Sequence, residues 1–306
     1  VAIAVAAVGL GHVDWLIARG GYQLSPPLPH VPGTEIAGQI VAVGDGVTGL
    51  VPGDAVVALA PRAMAARVLA PAALTAVRPA GIDPVLAAAL PLNGVTVLHG
   101  LIDRGRLGAG ETLLVMGAGG GIGLMAVAVG AALGAHVIAA ASTPEKRAAA
   151  TAMGAHAVID TTVDGWRDRL RAALAGRPLD MVFDPVCGPL FEPAFRSLSL
   201  GGRHLVVGFV GGPIPALKAS LTLMKSAALV GVDARQFMDS DTAAAGGHLR
   251  KLMAMAAGGR FAALPLRCHG DAAAALADAG ATSGPGQQPG KTVWQPGDSW
   301  RETSQP

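Results

Sequence analysis

The sequence predicts an α/β protein: a doubly wound parallel sheet, preceded by a barrel-like part of short strands and followed by a smaller mixed piece. Three observations predict it. From about residue 112, short apolar runs alternate with longer amphipathic stretches, the order of parallel strands and their crossover helices. Before about residue 90, Pro26, Pro27, Pro29, Pro32, Gly33, Gly44, Gly46, Gly49, Pro52 and Gly53 punctuate short valine-rich runs, as in a β-barrel. A glycine cluster, Gly117 with Gly119, Gly120 and Gly121, stands between the first of the later apolar runs and a helical stretch.

In chain order, Val1 to Val8 is apolar but has neither the basic stretch nor the small-residue cleavage site of a signal peptide, and it is expected to be a strand. The parallel strands are expected over Leu113–Gly117, His136–Ala141, Ala157–Asp160, Asp180–Pro185, Arg203–Phe209 and Ala228–Val232. Crossover helices are expected over Gly121–Leu133, Pro144–Met153, Val163–Ala175 and Pro189–Leu198, with Pro144 suited to a first turn. After about residue 236 come a helix, His248–Ala257, short β-like pieces and a Gly/Pro/Gln-rich loop from Thr282 to Gly290. The polar tail beyond Pro296 is expected to fray.

Composition removes several classes of function. The 306 residues leave room for two domains, and 23 Lys and Arg against 21 Asp and Glu give a formal charge of +2 with no basic run to follow a phosphate backbone. Nucleic acid is therefore not an expected partner. Cys187 and Cys268 match no zinc or redox spacing, which fits a reducing cytoplasm. Residues 113–142 carry no Asp, Glu, Lys or Arg and exceed the ~18–20 apolar residues of a membrane helix. Seven glycines and β-branched runs break that stretch into strand, turn and helix, so no membrane partner is expected.

The glycine turn points to a dinucleotide. In Gly117-Ala118-Gly119-Gly120-Gly121-Ile122-Gly123, the residues Ala118, Gly120 and Gly123 hold the three fingerprint positions, with Ala in place of the first glycine. A strand before and a helix after let backbone N–H groups and a helix N-terminus meet a pyrophosphate. The competing reading is a turn that serves only close helix–strand packing. The second strand ends Ala140-Ala141-Ser142-Thr143 with no carboxylate for an NAD ribose, while Ser142, Lys146 and Arg147 offer a hydroxyl and positive charge to an extra phosphate. This favours NADPH; Glu145 opposes it by charge, and an ordinary solvated lysine is the other reading of Lys146.

These residues resemble the medium-chain dehydrogenase/reductase superfamily, and within it the zinc-free quinone-oxidoreductase (zeta-crystallin-like) branch. The resemblance rests on Pro32-Gly33-Thr34-Glu35-Ile36-Ala37-Gly38, then Val43-Gly44, Gly53-Asp54, Ala89-Leu90-Pro91, the glycine turn, Phe183-Asp184-Pro185-Val186 and Gly201-Gly202-Arg203 in order. It implies a GroES-like β-barrel catalytic domain built from residues 1–90 and 236–306, into which a Rossmann NAD(P)-binding domain of residues 91–235 is inserted. Relatives pair their nucleotide domains edge to edge, so a homodimer is implied too. Zinc-dependent members of the superfamily take ligands from GxCHxD, from GHE and from a Cys before GVT. Here the corresponding residues are Gly11, Thr34 and Asn93, and no metal is expected.

Without a Lewis acid, stabilising an isolated alkoxide is hard, whereas a quinone or enone spreads incoming charge over its own π-system. The resemblance accordingly implies hydride transfer from NADPH to a quinone or other conjugated carbonyl. The alternatives are a 2-enoyl (carbon–carbon double-bond) reductase, and a catalytically degenerate NADPH-binding sensor.

Tyr22, the only tyrosine, resembles the G-x-Y tyrosine of related enoyl reductases and is a candidate hydrogen-bond or proton donor; a loop anchor is the other reading. Asn93 and Thr96 are candidates to touch substrate and nicotinamide, or else to cap a helix. Phe209, expected at the end of the fifth parallel strand, is placed beside the nicotinamide by the resemblance, against plain core packing. Departures from the family pattern are Gly11 for its usual Asn, the shortened Ala63-Met64-Ala65-Ala66, and the position of its opening strands upstream of Val1.

Overall fold

The computed structural model describes residues 1–23, 25–281 and 287–297. Most of the loop expected over Thr282–Gly290, and the tail from residue 298, lie outside them. The chain divides into two compact units, Val1–Val95 with Gln236–Pro306, and Thr96–Arg235.

The first unit holds a sheet of β1 (Ala2–Leu10), β2 (Glu35–Ala42), β3 (Ala55–Leu59), β4 (Arg67–Leu69) and β5 (Thr75–Val77), joined by β12 (Leu266–His269) and β13 (Lys291–Trp294) from the far end of the sequence. The strand order is β12-β13-β1-β2-β3-β5, with β4 also against β1. Pairing is antiparallel except between β12 and β13. Ile3, Val5, Val8, Ile36, Ile40, Val56 and Trp294 form its core, the alternate residues of strands whose other face is partly wet. Around the sheet lie α1 (His12–Ala18) and α2 (Pro84–Ala88), then α10 (Thr242–Ala257) and α11 (Ala272–Gly280), while α3 (Pro91–Leu98) runs from this unit into the second.

Two of these helices correct the sequence-based expectation. Helix α10 starts at Thr242, not His248, because Asp241 accepts the N–H of Ala244 and caps an earlier turn, while Gly246 packs where a Cβ would lie 2.1 Å from Ala73 O. The alanine-rich α11 was not anticipated; Asp271 caps it by accepting from Ala274 N–H at 2.7 Å.

The second unit contains β6 (Thr112–Val115), β7 (His136–Ala140), β8 (Ala157–Ile159), β9 (Met181–Asp184), β10 (Arg203–Val206) and β11 (Ala228–Gly231). The connecting helices are α4 (Gly121–Ala132), α5 (Pro144–Ala152), α6 (Trp166–Leu174), α7 (Phe191–Ser197) and α8 (Ala219–Lys225); α9 (Ala234–Ser240) follows. All six strands are parallel in the order β11-β10-β9-β6-β7-β8. Leu114, Ile138, Val182, Trp166 and Phe195 are buried in its core. The chain thus runs outward from β6 through β7 to β8, then crosses to β9 and runs the other way. That reversal, between β6 and β9, is where a doubly wound sheet forms its ligand crevice, outside the carboxyl ends of the strands. Together the two sheets form the GroES-like and Rossmann architecture.

The strands stop one to three residues short of expectation. The largest difference is β10, which ends at Val206: Val207 N–H still reaches Asp184 O at 3.0 Å, but the next residues turn away, so Phe209 lies beyond the strand. Helix α6 begins at Trp166 because Gly165, at φ +70°, turns the chain immediately before it.

Candidate functional site

The crevice is built first from the turn after β6. Gly117 takes φ +61°, a conformation closed to most side chains, and Gly120 N–H closes the turn on Gly117 O at 3.1 Å. Ala118 N–H is bonded to Ala140 O, which pins the turn to the end of β7. At Gly123 a Cβ would lie 2.3 Å from Gly117 O, so the first turn of α4 sits directly on the loop. Gly120 is the N-cap of α4 and supplies no side-chain cap. The N–H groups of Gly121, Ile122 and Gly123 therefore have no side-chain acceptor, while the aligned peptides of this 12-residue helix place partial positive charge there. Such an end takes an anion.

At the close of β7, Ser142 is exposed and Thr143 caps α5 by accepting the N–H of Lys146. Lys146 is buried, and its stem lies so close along the glycine turn that a Cβ on Gly119 would fall 2.4 Å from the Lys146 Cβ. Arg147 was expected beside Lys146 at a phosphate, and the structure corrects that. Its guanidinium donates to Asp160 Oδ2 at 2.6 Å and Ala141 O at 2.9 Å, tying the ends of β7 and β8 together. Asp160 is held below the usual carboxylate range chiefly by the side chain and N–H of Thr162, with Arg147 adding to it. Glu145 is exposed, and its own N–H and the Thr143 hydroxyl keep its carboxyl ionised below the usual range.

On the other side of the reversal, the turn after β9 meets the loop after β10. Phe209 is 46% exposed, unlike a core residue, and Gly208 sits where a Cβ would be 3.0 Å from Pro185 O. Cys187 is buried behind this loop, and burial first, then the neighbouring Asp184, push its thiol far above the usual range.

In the first unit, Tyr22 is half-buried in the irregular stretch between α1 and β2. Asn93, the half-buried third residue of α3, belongs to this unit too; Thr96, one turn on and buried, is the first residue of the second unit. The first turn of α3 is held by a group from outside the helix. Glu35, 1% exposed, accepts the N–H of Leu92 at 2.8 Å and so caps the first turn of α3 from a distant strand. Its other oxygen lies 2.5 Å from Lys291 Nζ, itself 4% exposed. The carboxylate reaches Lys291 by crossing β1 at Gly9, where a Cβ would collide with Glu35 Cδ at 2.8 Å and Ala88 O at 2.3 Å. Asp14, on α1, completes the cluster. Burial pushes its carboxyl up to about 6, against the pull of the Gly11 N–H and of Lys291, and Glu35 pushes it the same way as burial.

This cluster bears on the lost metal positions. Gly11 caps α1 and offers no donor, Thr34 precedes β2 with a buried hydroxyl that has no hydrogen-bond partner among the described residues, and Asn93 is an amide. A Cβ on Gly11 would lie 3.6 Å from Lys291 Nζ, so an ammonium borders the space that a cation's ligand would occupy. The donor set does not fit zinc, which takes thiolate, imidazole or carboxylate. His12 remains on α1, its ring stacked on Trp15 at 5.4 Å and its pKa lowered by burial. No helix among the described residues is long and apolar enough to cross a membrane.

Residues 1–73 match the family of the alcohol dehydrogenase GroES-like domain, and residues 121–246 that of the zinc-binding dehydrogenase. With the barrel-type sheet, the reversed parallel sheet and the glycine turn, this places the chain in the medium-chain dehydrogenase/reductase superfamily. The quinone oxidoreductase-like protein 2 homolog of Nematostella vectensis is 34% identical over 235 residues, 76% of this chain and 64% of that protein. Quinone oxidoreductase-like protein 2 of Rattus norvegicus is 31% identical over 237 residues, 77% of this chain and 68% of that one. This chain thus spans only about two thirds of these relatives. The Escherichia coli quinone oxidoreductase, solved with NADPH, superposes with a TM-score of 0.82 at 26% identity, covering 96% of this chain and 91% of that one. The chain belongs to the quinone-oxidoreductase-like branch of the superfamily.

Proposed function

We propose that this chain is a reductase that moves a hydride from NADPH to a quinone or another conjugated carbonyl compound, without a bound metal. The observation that carries the reading is the uncapped N-terminus of α4 at the reversal of the parallel sheet, with buried Lys146 laid along the turn beside it. The residues present suit the dinucleotide: at Gly120 an added Cβ would meet nothing nearer than Gly117 O at 3.7 Å, so the backbone is open to close approach. NADPH, when bound, supplies the hydride. In this reading Gly119, Gly120, Gly121, Ile122 and Gly123 hold the pyrophosphate, Ser142 and Lys146 the extra phosphate, and Thr96 and Phe209 flank the nicotinamide. Tyr22 and Asn93 donate hydrogen bonds to the acceptor oxygen as charge develops on it. Residues 1–90 with 236–306 form the catalytic domain and 91–235 the nucleotide domain.

The reading extends to a homodimer. Strand β11 is an edge of the parallel sheet, its residues Ala228, Leu229 and Gly231 are exposed, and the neighbouring α8 exposes Leu223 and Met224. An unprotected apolar edge is a template for a second strand, and a two-fold axis through it joins two copies.

The test is a turnover panel read by nicotinamide absorbance, with NADPH and NADH each offered a quinone, a 2-enal and an enoyl thioester. Turnover of the quinone with NADPH is expected. Turnover of only the enal or thioester selects the double-bond alternative, binding without turnover selects the sensor, and failure to bind NADPH ends the reading.

A further inference from the structure

The carboxylate of Asp184 is almost closed to solvent, at 1% exposure, and none of the roles above uses it. It stands at the end of β9, on the sheet reversal. Its Oδ1 accepts the N–H groups of Val186 at 2.9 Å and Cys187 at 2.8 Å. Its Oδ2 lies 3.1 Å from Nε2 of His204, a fully buried ring set against Phe191 and Phe195. The ring nitrogen and the carboxyl oxygen form one hydrogen bond, whose direction follows the His204 tautomer. Two backbone N–H groups and one ring nitrogen thus surround a single buried carboxyl group and satisfy its polar atoms.

The turn so held touches both walls of the crevice. A Cβ on Gly117 would lie 2.6 Å from Val186 Cγ2, so Val186 backs the glycine turn at its left-handed residue. Val186 O accepts the N–H of Gly211 at 2.8 Å, and a Cβ on Gly211 would meet Gly188 Cα at 2.7 Å, so the same turn backs the loop that carries Phe209. Cys187 sits at φ +47°, a strained conformation for a residue with a side chain, and the bond from its N–H to Asp184 Oδ1 holds it there.

We infer that Asp184, oriented by His204, is a positioning residue for the dinucleotide: one buried carboxylate sets the 185–188 turn, and through Val186 that turn fixes the glycine turn and the Phe209 loop relative to each other. The inference rests on the reading of this crevice as the NADPH site. It separates Asp184 from residues that contact the cofactor, and predicts that its loss acts on cofactor affinity before it acts on turnover.

The experiment compares wild type with Asp184→Ala, Asp184→Asn and Val186→Ala, by NADPH binding, steady-state kinetics and amide hydrogen exchange of the unliganded protein. Asn keeps an acceptor for both N–H groups, and its amide faces an imidazole that can switch tautomer, so it is the conservative rescue. Asp184→Ala is expected to raise the Kd and KM for NADPH about tenfold with kcat within about threefold. Exchange should quicken in residues 117–121 and 208–211 but not in β7, and Asp184→Asn should restore affinity and exchange together. Val186→Ala, which leaves the carboxylate network intact, should weaken NADPH binding about threefold. Unchanged affinity in a folded Asp184→Ala or Val186→Ala protein overturns the inference, as does exchange that quickens only in residues 185–188 or uniformly across the unit. If wild type binds no NADPH, the reading of the crevice fails, and the exchange arm still decides whether Asp184 braces the two loops.

Discussion

Glu35 and Lys291 meet across the first strand of the barrel-type sheet: the carboxylate lies over Gly9 and approaches the ammonium to 2.5 Å, with both side chains almost wholly buried. One oxygen closes this ion pair while the other caps α3, the helix that carries Asn93 and Thr96. The pair therefore joins β13 to the helix that carries the two proposed site residues.

A buried pair is costly to break from one side, because the survivor is left as an unpaired charge. Glu35→Ala and Lys291→Met are each expected to lower stability by about 3–5 kcal/mol. Glu35→Gln with Lys291→Met removes both charges and keeps an acceptor for Leu92, and should cost about 1 kcal/mol. Urea unfolding of the three proteins measures this; additive losses in the double variant would contradict it.

Asp14 makes stability depend on pH. Its carboxyl is raised from 3.8 to about 6 in the folded protein, so the folded state binds the proton more tightly than the unfolded one. The stabilisation is complete below pH ~4 and is lost as pH rises through 6, on the order of 2–3 kcal/mol. Asp14→Asn keeps an acceptor for Gly11 N–H and removes the excess negative charge beside Glu35. It is expected to flatten the profile between pH 4 and 7, and to be more stable than wild type at pH 8, by denaturant titration at each pH.

Lys146 and Arg147 are adjacent but differently placed, one along the glycine turn and the other bonded to Asp160. Lys146→Met is expected to lower kcat/KM for NADPH about tenfold to a hundredfold, the range of a charge-assisted phosphate contact, and to leave NADH within about threefold. Arg147→Met loses a partly exposed pair to Asp160, so it should lower stability by about 1 kcal/mol or less and leave cofactor preference unchanged. The ratio of the two coenzymes' specificity constants distinguishes these outcomes.

The proposed homodimer places the edge strand β11 at the seam. Leu229, 43% exposed on β11, lies where a second copy would pair, and Leu229→Lys places an unpaired charge in that seam. Light scattering is expected to give a dimer for wild type and a monomer for the variant; a monomeric wild type would remove the proposed interface.

The parallel sheet was legible because its central strands β6, β7 and β9 are largely apolar, buried runs, followed by glycine and proline turns. Their ends were less so. Nothing in Arg203–Phe209 shows that Val207 makes the last bond to Asp184 and that the chain then turns. Helix α11 escaped because Ala272 to Ala277 is mostly alanine, which favours helix without marking a face, although Asp271 was a readable cap. Leu223 and Met224 likewise hid α8, because both are exposed and break the apolar-in, polar-out pattern.

The glycine turn could be read because backbone conformation and close approach dictate residue type there. Arg147 was misplaced because a cation next to a lysine looks like a phosphate ligand until Asp160 is seen beside it. The cluster of Asp14, Glu35 and Lys291 was invisible for a different reason. Its charges come from both ends of the sequence, and each taken alone looks like a surface residue.

The register of Val8 with Trp294 and Leu10 with Thr292 has a consequence for biogenesis. At ~5–20 residues per second, the first strand emerges from the ribosome on the order of tens of seconds before its neighbour β13 is made. Residues 96–235 need no such wait, since every strand of their sheet comes from one uninterrupted stretch. The nascent β1 meanwhile offers an apolar, unpaired edge to any chaperone or misfolding partner, and Lys291 arrives as the late fastener that closes it.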